Sequence, residues 1–240
     1  MPANPVLCFL AAVYGKLDNP PTMEENTMLR LKAPWLALIA TIALGAGLWL
    51  GLRWFYPPPQ PPVEIAGIYL PQPKALDDFT LVGQDGQPVT RADFKGHWSF
   101  LYFGYTYCPD VCPLTLVELN KLDQLLSQQG LNQDTAYLLI SVDPERDTPA
   151  RLGEYVRYFN KKFQAATGTP QELEKLAKQL SVLYTVAPHQ AGESYTVDHS
   201  STIVLVDPEA RLHAIFTPPH QPATLATDFA RIRQRYESNR

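Results

Sequence analysis

Hydrophobic positions along the chain fall into one continuous block followed by shorter, spaced ones. The block runs from Ala33 to Leu52, APWLALIATIALGAGLWLGL, uncharged throughout and about the 20 residues a helix needs to cross a bilayer core. Trp35, Trp49 and Trp54 stand near its ends, where amphipathic rings settle at the membrane–water interface. Lys16, Arg30 and Lys32 precede it and only Arg53 follows closely, a bias that places the N-terminus in the cytoplasm and the rest of the chain outside. The run exceeds the apolar core of a signal peptide and no Ala-x-Ala site follows it, so it reads as an uncleaved anchor.

Beyond the block, Tyr56-Pro57-Pro58-Pro59-Gln60-Pro61-Pro62 predicts an extended polyproline II spacer. The apolar runs that follow alternate in period. Asp78 to Val82 and Pro88 to Thr90, joined by Asp85-Gly86, predict a hairpin. Trp98 to Phe103 predicts a buried strand that feeds through Gly104-Tyr105-Thr106-Tyr107 into a pair of cysteines. A helix is expected from Pro113 to Gly130 with Leu114, Val117, Leu122 and Leu125 as its apolar stripe, then a strand from Ala136 to Val142 buried on both faces. Pro149 opens another helix, capped by Asp147 or Thr148, and a third helix covers Pro170 to Leu180. Ile203–Val206 and Leu212–Phe216 form a second hairpin across Asp207-Pro208-Glu209-Ala210, and an amphipathic helix runs from Pro222 to Tyr236. Strand–helix–strand–helix, then hairpin and helix, predicts an α/β, thioredoxin-like fold with an N-terminal β-hairpin extension, preceded by one transmembrane helix.

The expected organisation is a cytoplasmic segment over 1–32, an anchor over 33–54, a Pro-rich linker over 55–64 and a thioredoxin-like domain over 65–240. The segment MLRLKAPW from Met28 reads as a natural start, so residues 1–27 are either an over-extended start or a short cytoplasmic tail, and Cys8 within them has no assigned role. A short, Arg-poor leader does not suit a transit peptide, which favours a bacterial inner membrane with the domain in the periplasm. The formal charge of -4, with no long basic run, argues against nucleic acid as a partner. Three cysteines are too few for a disulfide scaffold.

Cys108 and Cys112 carry the chemistry. They lie in Cys108-Pro109-Asp110-Val111-Cys112-Pro113 at a strand-to-helix junction, the edge where open α/β sheets bind ligands. A helix N-terminus lowers a thiol pKa and favours the thiolate. Buried filler, a redox dithiol and a soft-metal site are the three readings, and flanking prolines at such a junction do not suit filler. Copper sites often add an imidazole to thiolates. Of the five histidines, His97, His189, His213 and His220 sit in turns, Pro-flanked loops or a strand and read as solvated or structural. His199, in the loop Val197-Asp198-His199-Ser200-Ser201-Thr202 before the strand at Ile203, is placed opposite the cysteines, although its position alone does not separate a ligand from a structural histidine.

Three segments, Phe103-Gly104-Tyr105-Thr106-Tyr107-Cys108-Pro109-Asp110-Val111-Cys112-Pro113, Ser141-Val142-Asp143-Pro144-Glu145-Arg146-Asp147-Thr148-Pro149 and Asp198-His199-Ser200-Ser201, together closely resemble the SCO/SenC family of copper chaperones for cytochrome c oxidase assembly. The likeness covers about Gly67 to Phe216. It implies a membrane-anchored metallochaperone that binds one copper ion, Cu(I) or Cu(II), through Cys108, Cys112 and His199. It also implies delivery to the copper-binding subunit of the oxidase, with other copper chaperones and thiol reductants as further partners. Asp110 and Asp198 are expected to orient the site or make a weak fourth contact. The segment from Asp143 to Asp147 reads as a strand end and helix cap, against a role in partner docking.

The main rival is an enzyme, a thiol-disulfide oxidoreductase using Cys108 and Cys112 to keep the oxidase cysteines reduced. General thioredoxin activity is disfavoured by the Cys-x-x-x-Cys spacing and by Ser201-Thr202 where thioredoxins place a cis-proline. Leu101 and Tyr105 stand where a peroxiredoxin needs proline and threonine. A structural zinc site would need a fourth ligand. A copper or redox sensor would use the same three residues and remains a third reading.

Overall fold

The computed structural model describes residues 23–56, 62–190 and 195–239, of which 23–34 by their backbone path alone. The chain divides into two compact units, residues 1–61 and 62–240. In the first, helix α1 (Met23–Phe55) contains the segment Trp35–Phe55, long and apolar enough to cross a membrane. Residues 1–22 and 57–61 lie outside the described residues, so the expectations for Cys8 and for the polyproline spacer rest on sequence alone.

The second unit holds strands β1 (Ile68–Ala75), β2 (Thr80–Gly83), β3 (Pro88–Thr90), β4 (Trp98–Gly104), β5 (Thr135–Ser141), β6 (Gln164–Thr167), β7 (Tyr184–Val186), β8 (Val197–His199), β9 (Ile203–Val206) and β10 (Arg211–Phe216). Between them lie helices α2 (Val111–Gln128), α3 (Pro149–Phe159), α4 (Pro170–Gln179) and α5 (Pro222–Ser238). Eight strands form one sheet in the order β1-β10-β9-β4-β5-β6-β2-β3, with β4, β5 and β6 parallel and their neighbours β9 and β2 antiparallel. All seven residues of β4 and all four of β9 are buried, as expected of central strands covered on both faces. The two βαβ crossovers run in the same direction across the sheet. Right-handed connection therefore places α2 and α3 on one face, where α2 also packs against α5.

The predicted hairpin is β2–β3, turned at Gly86 with φ +78°, a conformation glycine adopts without steric cost. Four strands were not anticipated. β1 contains Pro71 and Pro73, which argue against a strand, but it is an edge strand and its register with β10 shifts between Tyr69 and Lys74, around those prolines. β6 is only four residues long, and β7 and β8 pair with each other in a separate two-stranded sheet.

The stripe assigned to α2 also needs correction. Its buried positions are Cys112, Thr115, Leu116, Leu119, Leu122, Asp123 and Leu126, the 3–4 residue spacing of one helix face. Leu114 and Val117 are exposed, because the face meeting the sheet is set by Cys112 and lies to one side of the stripe inferred from leucine spacing. Thr148, and not Asp147, caps α3 by accepting the Arg151 amide.

Candidate metal centre

β4 ends at Gly104 and the chain turns through Tyr105–Asp110 into α2. Cys108 is partly exposed in this turn, and Cys112 is buried in the first turn of the helix. The amide of Cys112 points at the Cys108 sulfur at 3.5 Å, so the donor end of the helix is directed at Cys108. Gly104 leaves room for the sulfur: a Cβ there would lie 3.0 Å from Cys112 Sγ, tighter than an ordinary contact, so the sulfur would have to give way.

The third side chain arrives from the other half of the fold. β9 runs antiparallel to β4 with Ile203 opposite Tyr102, which carries the residues just before Ile203 alongside the end of β4. His199 is the last residue of β8, a strand and not the loop expected. Its Nε2 lies 3.3 Å from Cys112 Sγ. The ring sits edge-on to Tyr102 and Tyr105. The two sulfurs and a ring nitrogen of His199 all fall within 4.8 Å of one another, the one group of three such side chains among the described residues.

Burial sets the protonation of the group. It lowers the pKa of His199 below the usual imidazole value, which favours the neutral ring with a free lone pair. It pushes the Cys112 thiol up, to about 12, with the neighbouring Cys108 adding to the effect. The expected thiolate is therefore not favoured at Cys112 without a metal: desolvation outweighs the helix N-terminus there. A soft cation that repays the desolvation would displace that proton, as the donor set of two sulfurs and an imidazole suits.

The remaining predicted residues separate clearly. Asp110 and Asp198 are exposed and outside the three-residue group. His213 is buried, its Nδ1 3.0 Å from Asp207, and His220 contacts the Ser201 carbonyl through Nε2 at 2.6 Å. His189 stacks on Tyr195 and approaches Glu145, while His97 is partly exposed. The cap-like reading of Asp143 and Asp147 missed their burial. Asp147, fully buried, accepts from the Thr106 amide and hydroxyl and from the Ser141 hydroxyl. Asp143 accepts from Arg146 and from the Tyr195 hydroxyl. Two acids soon after a strand end were the available signal, but Thr106 and Tyr195, which bond to them, lie 41 and 52 residues away in sequence.

The pattern of the SCO1/SenC family matches residues 69–234. This chain belongs to the SCO1/SenC family. Among curated relatives, the mitochondrial SCO2 homolog of Danio rerio is 30% identical over 210 residues, which cover 86% of this chain and 75% of that protein. The copper-bound structure of Arabidopsis thaliana ScoI is similar at a TM-score of 0.60 and 36% identity, over 66% of this chain and 98% of that one. The copper-bound structure of Bradyrhizobium japonicum ScoI is similar at 0.58 and 34%, over 66% and 99% respectively. The thioredoxin-like architecture expected from the sequence is the architecture of these SCO1/SenC structures, which hold copper as described.

Proposed function

We propose that this SCO1/SenC protein is a membrane-anchored copper metallochaperone that carries one copper ion on Cys108, Cys112 and His199 and passes it to the copper-binding subunit of cytochrome c oxidase during assembly. The observation that carries the reading is the approach of His199 Nε2 to Cys112 Sγ at 3.3 Å with Cys108 alongside. The copper-bound relatives support copper as the cargo. Two thiolates and one imidazole satisfy Cu(I) and leave one side for an incoming ligand. Cys108, the less buried of the two cysteine residues, is where exchange with a partner would begin, so the ion moves between ligand sets without release.

In this reading residues 33–54 are the anchor, 55–64 the linker and 65–240 the copper-binding domain. The excess of Lys and Arg before the anchor supports a domain on the periplasmic face of a bacterial inner membrane. Other copper chaperones would load the site and thiol reductants would keep both cysteines reduced. Cys112, buried and with its thiol pKa raised to about 12, is a poor attacking thiolate, so disulfide exchange in the rival reading would have to begin at Cys108.

The test is copper bound per chain by the reduced full-length protein in detergent, alongside Cys108→Ala, Cys112→Ala and His199→Ala, followed by transfer to the oxidase subunit fragment. One copper per chain, sharply weakened in each variant and lost to the fragment, supports the proposal. Folded, reduced protein that binds no copper would make the oxidoreductase the working function. Tight binding with no transfer would point to a sensor.

A further inference from the structure

The metal centre is built from two parts with different supports. Cys108 and Cys112 belong to a turn and helix continuous with the eight-stranded sheet. His199 ends a two-stranded sheet that is not part of that ladder. The position of His199 therefore depends on its short link to β9 and on whatever fastens the β7–β8 hairpin to the cysteine loop.

The fastening converges on Tyr195 and Arg146. The Arg146 guanidinium lies 3.5 Å from the centre of the Tyr195 ring, and its Nη1 donates to the Tyr195 carbonyl at 3.0 Å. Asp143 ties the two together, accepting from Arg146 Nε at 2.5 Å and from the Tyr195 hydroxyl at 2.6 Å. The same guanidinium lies 4.8 Å from the ring of Tyr107 and 5.7 Å from that of Tyr105, both in the turn that ends at Cys108. Tyr105 in turn receives the Val197 amide on its hydroxyl, two residues before His199. One planar cation thus meets the strand-end segment, the cysteine turn and the histidine hairpin at once. A guanidinium combines stacking with directed donation in a way an ammonium does not.

We infer that Arg146 and Tyr195 are positioning residues of the metal centre, clamping the β7–β8 hairpin onto the cysteine turn so that His199 is held at Cys112. The inference rests on the Cys-Cys-His reading above, and it assigns neither residue a contact with the metal. Its consequence is that the clamp acts on metal affinity through His199 and is without effect on metal once His199 is gone.

The experiment is a double-mutant cycle on the reduced full-length protein in detergent, with Cu(I) affinity read by competition with a chromophoric chelator. Arg146→Ala is expected to weaken Cu(I) binding about tenfold, the scale of losses when groups orienting a ligand are removed, and by less than twofold in the His199→Ala background. Tyr195→Phe, which keeps the ring and loses only the bond to Asp143, serves where Arg146→Ala does not fold, with a loss of about threefold in the same direction. Arg146→Lys should not restore affinity, because the ammonium cannot stack. Equal losses with and without His199, or no loss in either variant, would overturn the clamp. If His199→Ala itself leaves affinity unchanged, the three-ligand reading fails first and the clamp with it. A clear His199→Ala effect with no effect of Arg146→Ala and Tyr195→Phe overturns the clamp alone.

Discussion

The carboxylate of Asp147 accepts both the backbone amide and the hydroxyl of Thr106, at 2.9 and 2.5 Å, which ties the start of α3 to the turn carrying Cys108. It also accepts the Ser141 hydroxyl at 2.6 Å. Asp147→Ala leaves buried donors unpaired, at about 1–3 kcal/mol for each group left unsatisfied. A loss of stability of that order is expected from denaturant unfolding, with weaker copper retention. A variant as stable as the parent would show that Asp147 does not hold the turn.

Gly104→Ala places a methyl group 3.0 Å from Cys112 Sγ and equally close to a ring carbon of Tyr102. Overpacking of this kind costs about 1–3 kcal/mol, and here it displaces a ligand atom. Copper affinity should fall more than stability does. Unaltered affinity in the folded variant would mean the sulfur has room the structure does not show.

Copper uptake should depend on pH in one direction. With its pKa raised to about 12 by burial, Cys112 is protonated in the metal-free protein at neutral pH, so binding must expel that proton. Apparent affinity is then expected to rise about tenfold per pH unit on account of Cys112 alone, levelling off as pH nears 12. His199, its pKa lowered by burial, favours the neutral ring and so contributes less to the slope than Cys112. A competition titration that finds affinity flat from pH 6 to 8 would contradict this assignment of protons.

Asp207 contributes stability that also rises with pH, over a more acidic range. Burial alone would raise its pKa, but hydrogen bonds from His213 and Arg211 outweigh it and hold the carboxyl below its ordinary value of 3.8. The folded state thus favours the charged form, so the stabilisation is complete above the unfolded pKa and disappears as pH falls through the lower folded one. Asp207→Asn should lower the melting temperature at pH 7, with a gap to the parent that narrows below about pH 4. A gap that is constant with pH would remove the charge from the explanation.

Neighbouring leucines on α2 should respond in opposite ways. Leu116 is buried and Leu114 is 57% exposed. Leu116→Ala is expected to cost about 2–5 kcal/mol, and Leu114→Ser to stay within about 0.5 kcal/mol, both by denaturant unfolding. Reversal of that order would restore the stripe read from leucine spacing.

That stripe illustrates where local pattern ends. The β4 run, the helix starts at Pro149 and Pro170 and the turn at Gly86 were legible because each is specified by residues adjacent in sequence. β1, with Pro71 and Pro73, was not, because only its place at the sheet edge makes a proline-bearing strand acceptable. Likewise Asp143 and Asp147 resemble a helix cap until Tyr195 and Thr106 are brought to them.

By itself the sequence determined the apolar span, the alternation of elements and the cysteine pair at a strand-to-helix junction, since these follow from period and turn chemistry, and through the family resemblance it pointed to the candidate histidine. Tertiary structure decided which face of α2 is buried, that His199 rides on a separate hairpin, and that burial raises Cys112 and lowers His199. The physical reason is that desolvation and clamping depend on the surroundings of each group, and those surroundings are assembled from residues distant along the chain.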